Sequence, residues 1–330
     1  MAANTKVKLL GAGSPLLDVL VNVDDAFVAG VEGAKGGMEL VDIAVIDAIL
    51  ARTAADCVKA PGGSAVNTVF GLAKLGVPTG FLGKLGQDAA AAYYTARLAA
   101  AGVDVSGFKR SPDTRTGLCL SMVTPDSERT MRTFLGAAAT LSPDELSDAD
   151  FQGYTHLHLE GYLLFNPPLA RRILELAKRN GLTISLDFAS FEVVRANQAA
   201  LPGLIADFVD VVFANEVEAE QFAGSRDPEA FFQALAGRCS VAALKLGRDG
   251  AIVRADGVEA KVPAKLVKAV DTTGAGDLWQ AGFLFGLLND RPLSICARYG
   301  SELGAEVVQI LGAEIPEHRW PNIKTTLDGI

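Results

Sequence analysis

Little in this sequence points toward a membrane or a polyanion. Its 330 residues carry 30 Lys and Arg against 39 Asp and Glu, a formal net charge of −9. The basic residues form neither a block nor a spaced stripe, so a sequence-independent grip on nucleic acid or anionic lipid has no visible source. No apolar run approaches 18 residues without polar interruption, which argues against a spanning helix. The opening MAANTKVKLLGAGSPLLD has too short an apolar stretch before Asp18 to read as a signal peptide. The four cysteines, Cys57, Cys119, Cys239 and Cys296, are scattered, with no C-x-x-C pair and no neighbouring His. Neither a disulfide framework nor a structural zinc site is indicated, and a reducing cytoplasm is the expected location. Repeats, low-complexity segments and Pro/Gly/Ser linkers are also missing, so no point cuts the chain into independent halves.

What is present is the material of a folded core. Hydrophobic residues make up 49% of the chain and charged ones 21%, which excludes disorder as the general state. The length slightly exceeds what one core usually fills, so one large domain with an appendage is expected. Apolar runs of strand length alternate with helical patterns: VKLLGAG then SAVNTVFGLAKLG, TGFLG then DAAAAYYTARLAAAG, THLHLEGY then PPLARRILELAKRNG, followed by LTISLDF, DVVFANE and VAALKL. That order predicts an α/β fold, a mostly parallel sheet with helices on both faces. Two stretches break the rhythm. Val19 to about Ala60 is long and mixed, and Gly117 to Phe134 reads as a β-hairpin around a Pro-Asp turn. Antiparallel strands inserted in a parallel design suggest a separate flap.

Several motifs admit both a structural and a chemical account. Gly11-Ala-Gly13 follows a strand, but Leu16 stands where a dinucleotide-binding turn needs its third glycine and Pro15 is awkward for the following helix. A dehydrogenase reading rests on that turn alone. Asp18, an acid at the end of an apolar strand, is a candidate acceptor for ligand hydroxyls. A Walker A loop is missing: Gly83-Lys84 precedes Leu85 and has no glycine at the required distance upstream. Gly62-Gly63-Ser64 opens a helix, with Ser64 as its expected N-cap, and leaves Asn67 in the first turn able to meet a polyhydroxylated ligand. Asn215 and Glu218 sit three apart at a strand-to-helix junction, where they form either an N-cap with favourable acids or a carboxylate site for Mg²⁺ through water. His156 and His158 share one face of a strand beside Glu160, which reads as packing, because two ligands on one strand leave a metal site incomplete.

The stretch DTTGAGDLWQAGF, Asp271 to Phe283, is the most informative. Gly274-Ala275-Gly276 keeps side chains away from backbone N–H groups at a helix start, which makes an anion hole, and Asp277 follows in the first turn. Phosphoryl transfer needs an acceptor that orients and deprotonates the attacking hydroxyl, plus donors for the moving oxygens, and this turn holds both.

Together these residues resemble the ribokinase-like (PfkB) carbohydrate and nucleoside kinases, and within them the adenosine-kinase-like branch. The first family signature matches Gly62, Gly63 and Asn67, the N-x-x-E element matches Asn215 to Glu218, and D-T-x-G-A-G-D matches Asp271 to Asp277; Gly13 to Asp18 looks like the branch's sugar-contacting strand end. The resemblance implies a three-layer Rossmann-like core over residues 1–330 with a β-sheet lid formed by insertions at about 19–60 and 112–136. It implies ATP and Mg²⁺, with K⁺ as a further candidate, and a nucleoside or sugar acceptor phosphorylated on a primary hydroxyl, adenosine leading. Asp277 would be the base and Gly274, Ala275 and Gly276 the anion hole. Asp18, Gly62, Gly63 and Asn67 would grip the acceptor, with Phe134 and Tyr162 offering a face to a base. Asn215, Lys245, Gly247, Thr272 and Arg132 would serve the nucleotide, and Glu218 with Asn215 the Mg²⁺. Asp271, Thr273, Val307, Ile310 and Gly312 would surround a monovalent cation. The assembly implied is a monomer or a lid-mediated homodimer. LDFAS departs from the family, giving Asp187 but Ala189 where many sugar kinases have Asn. A ribo-, fructo- or ketodeoxygluconate-type sugar kinase and a non-catalytic binding protein on the same fold are the alternatives.

Overall fold

The computed structural model describes residues 7–53, 57–126, 128–255 and 257–330. Its main sheet runs, edge to edge, through the strands Val258–Val262, Ala251–Ala255, Val241–Lys245, Val211–Asn215, Thr183–Asp187, His156–Glu160, Leu9–Ala12, Thr79–Leu85 and Val103–Asp104, with Phe108–Arg110 pairing beside Thr79–Leu85. Pairing is parallel except where Ala251–Ala255 and Val258–Val262 fold back as an antiparallel edge.

The apolar runs explain the layering. Alternate strand residues feed two separate cores, one beneath the helices Ser64–Leu75, Ala275–Leu287 and Leu293–Val307, the other beneath Pro167–Arg179, Phe191–Asn197 and Pro228–Leu235. Both faces of the sheet are therefore covered, as the near-continuous hydrophobic strands require. This is the expected three-layer α/β fold.

A second sheet is built from Met38–Leu40, Arg129–Phe134, Gly117–Val123, Leu16–Asn22 and Val58–Gly62. The hairpin expected at Gly117 to Phe134 forms, with Leu118 opposite Phe134 and Val123 opposite Arg129. Asp18 lies in this second sheet, between Ala60 and Cys119. The two sheets thus meet where Gly13 leaves one and Leu16 enters the other.

The carboxyl ends of the parallel strands lie along one edge of the main sheet. Glu160 is in register with Asp187, and Asn215 with Lys245. In open α/β sheets ligands bind at this edge, and most often where neighbouring strands send their chains to opposite faces. That condition is met between Leu9–Ala12 and His156–Glu160.

Candidate active site

The Ala275–Leu287 helix begins on Gly274, whose φ of 71° is a left-handed cap. A Cβ there would stand 2.6 Å from the Ala313 Cβ, so glycine is required both for conformation and for space. Ala275 N–H donates to Thr272 O, and Leu278 N–H to Gly274 O. The amides of Gly276 and Asp277 between them are the first-turn donors left for a ligand.

Asp277 in turn is fixed by the Ser64–Leu75 helix. Ser64 Oγ donates to its Oδ1 at 2.8 Å and Asn67 Nδ2 to its Oδ2 at 2.8 Å, while Thr68 Oγ1 donates to its carbonyl. This corrects the expected cap: Gly63 holds the N-cap position and Ser64 is the first helical residue. Its hydroxyl is drawn away by a carboxylate that only the tertiary fold brings near. Asn67, expected on the acceptor side, here donates to the aspartate.

Glu160 links the same pieces. Its carboxylate accepts from Ser14 N–H at 3.2 Å and Ala65 N–H at 3.1 Å, tying the end of the first strand to the start of the Asn67 helix. Asp18 lies across the cleft, and Gly62 passes so close that a Cβ there would stand 2.3 Å from the Asp18 Cγ. Burial pushes Asp18 and Glu160 each up to about 7; Arg129 opposes the shift at Asp18, and the amides of Ala65 and Ser14 oppose it at Glu160. Asp277 is pushed up to about 6, again first by burial, against the hydrogen bonds of Asn67 and Ser64. The charge of Asp187 raises it further, and that of Lys245 lowers it.

On the other side stands Lys245. Its Nζ pairs with Asp187 Oδ1 at 3.2 Å and would lie 3.2 Å from a Cβ on Gly276, so the ammonium sits directly at the glycine turn. Burial disfavours its charge, but Asp187, Glu218 and Asp277 together hold its pKa above the ordinary value. Asn215 and Glu218 form a complete capping box. Asn215 N–H and Nδ2 donate to the two Glu218 oxygens at 2.8 and 2.7 Å, and Glu218 N–H donates to Asn215 Oδ1. Burial, with the charge of Asp187, moves Glu218 up to about 7. A cavity of about 350 Å³ opens beside this turn, and Lys245, Gly247, Thr272, Ala275, Gly276 and Trp279 are among the residues that line it.

Asp271 is spent within the turn. Its Oδ1 accepts from Thr273 N–H and Oγ1, and its Oδ2 accepts from Gly312 N–H at 2.7 Å and pairs with Arg129 at 3.0 Å. Arg129 also donates to Thr273 Oγ1, so the second sheet is fastened directly to the glycine turn. Arg132, the arginine expected here, is not brought to the site. It is 1% exposed inside the second sheet, where its guanidinium donates to the carbonyls of Glu32 and Met131. Tyr162, partly exposed, neighbours Glu160 and Asp187, and Phe134 packs against the core beside Gly136. Ala189, standing where many sugar kinases have Asn, has a φ of 64°, a left-handed backbone that Asn adopts more readily than Ala. Among residues not foreseen at the site, Glu160 and Ser64 gave no signal beyond their polarity at a strand end and a helix start.

The chain is similar to known proteins over most of its length. Residues 37–320 match the model of the pfkB family carbohydrate kinases. The crystal structure of adenosine kinase from Sinorhizobium meliloti superposes with a TM-score of 0.85 at 30% identity, covering 97% of this chain and 99% of that one. Aminoimidazole riboside kinase of Salmonella typhimurium is 31% identical over 241 residues, 69% of this chain and 74% of the relative. The 2-dehydro-3-deoxygluconokinase of Bacillus subtilis is 29% identical over 269 residues, 77% of this chain and 82% of the relative. The chain belongs to the pfkB family of carbohydrate kinases, ATP-dependent phosphotransferases with sugar or nucleoside acceptors.

Proposed function

We propose that the protein transfers the γ-phosphoryl group of ATP to the primary hydroxyl of a neutral nucleoside, with adenosine as the favoured acceptor. The observation that carries this reading is the charge of the acceptor side. Asp18, Glu160 and Asp277 are buried together, near enough that the charge of Asp277 raises the carboxyls of the other two, while the two cations at the centre are committed to Asp271 and Asp187. Hydroxyl groups donate well to such carboxylates. A sugar acid or sugar phosphate would add a like charge to the same desolvated space, at a cost of several kcal/mol.

Within this reading Asp277 orients and deprotonates the acceptor hydroxyl, held in place by Ser64 and Asn67. The Gly276 and Asp277 amides and Lys245 Nζ receive the developing charge on the phosphoryl oxygens. The nucleotide occupies the cavity beside Lys245, Gly247 and Thr272. Asp18 takes acceptor hydroxyls, and Phe134 and Tyr162 flank the base. The second sheet acts as the lid, and Arg129, rather than Arg132, is its contact with the phosphate turn. Closure excludes water from the transfer.

The donor set fits a magnesium ion that arrives with ATP. Glu218 has both carboxylate oxygens engaged by Asn215, and among the described residues no three acidic, His or Cys side chains are grouped as a cage. Water-mediated support of a phosphate-bound Mg²⁺ is what such a site offers. The ion supplies charge neutralisation at the β- and γ-phosphates. A monovalent cation near Asp271 would draw on backbone carbonyls, including those of Val307, Ile310 and Gly312, because the Asp271 carboxylate is already occupied.

The product identifies the reaction. With adenosine and Mg·ATP, ³¹P NMR is expected to show one new phosphomonoester coupled to the 5′ methylene protons. Coupling to a ring methine proton, or no nucleoside phosphate at all, would overturn the assignment.

A further inference from the structure

Beneath the Asp277 helix lies a buried polar seam that the reaction as described does not use. Two residues carry most of the buried polar atoms that lack a protein partner among the described residues, His158 at Nε2 and Gln280 at both Nε2 and Oε1. Both are fully buried. Native proteins pair nearly all such atoms, so two residues orphaned on the same side of one sheet call for a common explanation.

Their placement brings them to one seam. Gln280 is three residues beyond Asp277 and shares its helix face with Gly276 and Phe283. Gly276 touches Lys245, and Phe283 packs edge-on against Phe213 at 5.5 Å. Phe213 also meets the His158 ring edge-on at 6.3 Å. Phe213 therefore touches His158 itself and, through Phe283, the helix face that carries Gln280, directly under the strand ends that carry Asp187 and Lys245.

The hydrogen-bond chain leading to His158 fixes what it offers. Thr183 Oγ1 donates to Thr155 O and stands 2.7 Å from His156 Nδ1; Ser185 Oγ lies 2.8 Å from His156 Nε2 and 2.9 Å from His158 Nδ1. If Thr183 donates to Thr155 O, His156 Nδ1–H donates to Thr183, Ser185 O–H donates to His156 Nε2, and His158 Nδ1–H donates to Ser185. Apart from the longer contact of Ser185 Oγ to Leu157 O at 3.4 Å, which neither polarity satisfies, this polarity satisfies all four contacts and the reverse three. It leaves His158 Nε2 as a bare lone pair. Burial lowers the pKa of both imidazoles, His156 to about 3 and His158 to about 4, so each is neutral and the alternation holds.

We propose that one ordered water bridges the Gln280 carboxamide to His158 Nε2, and that this bridging bond sets the rotation of the Ala275–Leu287 helix and with it the aim of Asp277. Gln280 and His158 are then positioning residues. The inference rests on Asp277 as the base only for its kinetic consequence, since the bond itself has an independent readout.

The chain has three histidines, with His318 the third, so their ¹⁵N signals are readily separated. In the wild-type protein His158 is expected as the Nδ1–H tautomer, with Nε2 shifted as a hydrogen-bond acceptor, and the Gln280→Met variant is expected to move that signal to the value of a free lone pair. The same variant should lower kcat about tenfold, the scale of a sub-ångström misplacement, with KM for ATP and acceptor within about twofold and with partial rescue by Gln280→Asn. An Nε2–H tautomer in the wild-type protein would overturn the proposal, and needs no variant that folds. So would a Gln280→Met protein that is more thermostable than wild type at unchanged kcat, the result expected when a buried amide without a partner is replaced by an apolar side chain.

Discussion

Replacing Asp277 by Asn is expected to lower kcat by at least ~10², the usual scale for removal of a general base, while ATP binding changes little. The substitution keeps the size of the side chain and one acceptor for the Ser64 and Asn67 donors, so the helix start should hold its shape. What it removes is the charge that orients the acceptor hydroxyl and receives its proton. The wild-type pH profile supplies a second reading. Because burial lifts the Asp277 carboxyl to about 6, kcat/KM should rise with pH through an acid limb near that value, with the ionised form active. Below it the rate falls about tenfold per pH unit. The residual activity of the Asp277→Asn variant should lack that limb. Steady-state rates of ADP release between pH 5 and 8 check both, and an Asp277→Asn protein that turns over at the wild-type rate would remove Asp277 from the chemistry.

Replacing Lys245 by Met is expected to affect the fold as well as the reaction. The ammonium is buried among Asp187, Glu218 and Asp277, with Asp187 at 3.2 Å. Removing one partner of a buried ion pair costs about 3–5 kcal/mol because the other charge remains without compensation. For a chain of this size each kcal/mol moves Tm by roughly 1.4 °C, so a fall of about 4–7 °C is expected at pH 8. The pH dependence has a definite sign. The folded-state pKa of Glu218 and Asp277 is already raised above the unfolded value, and loss of the nearby cation raises it further. The native state then binds protons more tightly than the unfolded chain, so the defect is largest above pH 7 and shrinks as pH falls. Thermal unfolding at pH 5.5 and pH 8 measures this. An equal Tm defect at both values would contradict the electrostatic account, and full ATP turnover in the variant would contradict the placement of Lys245 at the phosphate turn.

Much of this site was legible before the structure because its chemistry is local. The Gly274 to Asp277 turn needs left-handed backbone, open amides and an acid within four residues, and all three are written contiguously. The alternation of apolar runs and helical patterns likewise fixes a covered parallel sheet. What could not be read depends on register. Arg129 and Arg132 lie three apart on one strand, so they point to opposite faces of the second sheet. Nothing in RTMRTF says which face turns to the glycine turn; the structure gives the cleft to Arg129 and the sheet interior to Arg132. Glu160 looks like one more residue of a packed strand until parallel pairing sets it beside Asp187 and the fold brings to it two distant amides, one from a strand end and one from a helix start. Ser64 obeys the local rule for a cap, and loses that role only because Asp277, more than 200 residues along, competes for its hydroxyl. His156 and His158 read as packing, which the structure agrees with, yet their hydrogen-bond chain toward Gln280 has no trace in either segment alone.

The acceptor is the part of the account on which the rest depends, and its carboxylate-lined side makes a sharp claim. ADP release should be measured with adenosine and with 2-dehydro-3-deoxygluconate as separate acceptors, and then in competition, at pH 7.5 with saturating Mg·ATP. The account predicts kcat/KM for adenosine higher by ~10² or more, because a carboxylate brought into the field of Asp18, Glu160 and Asp277 meets like charge at several kcal/mol. Equal or greater kcat/KM for the sugar acid would contradict it.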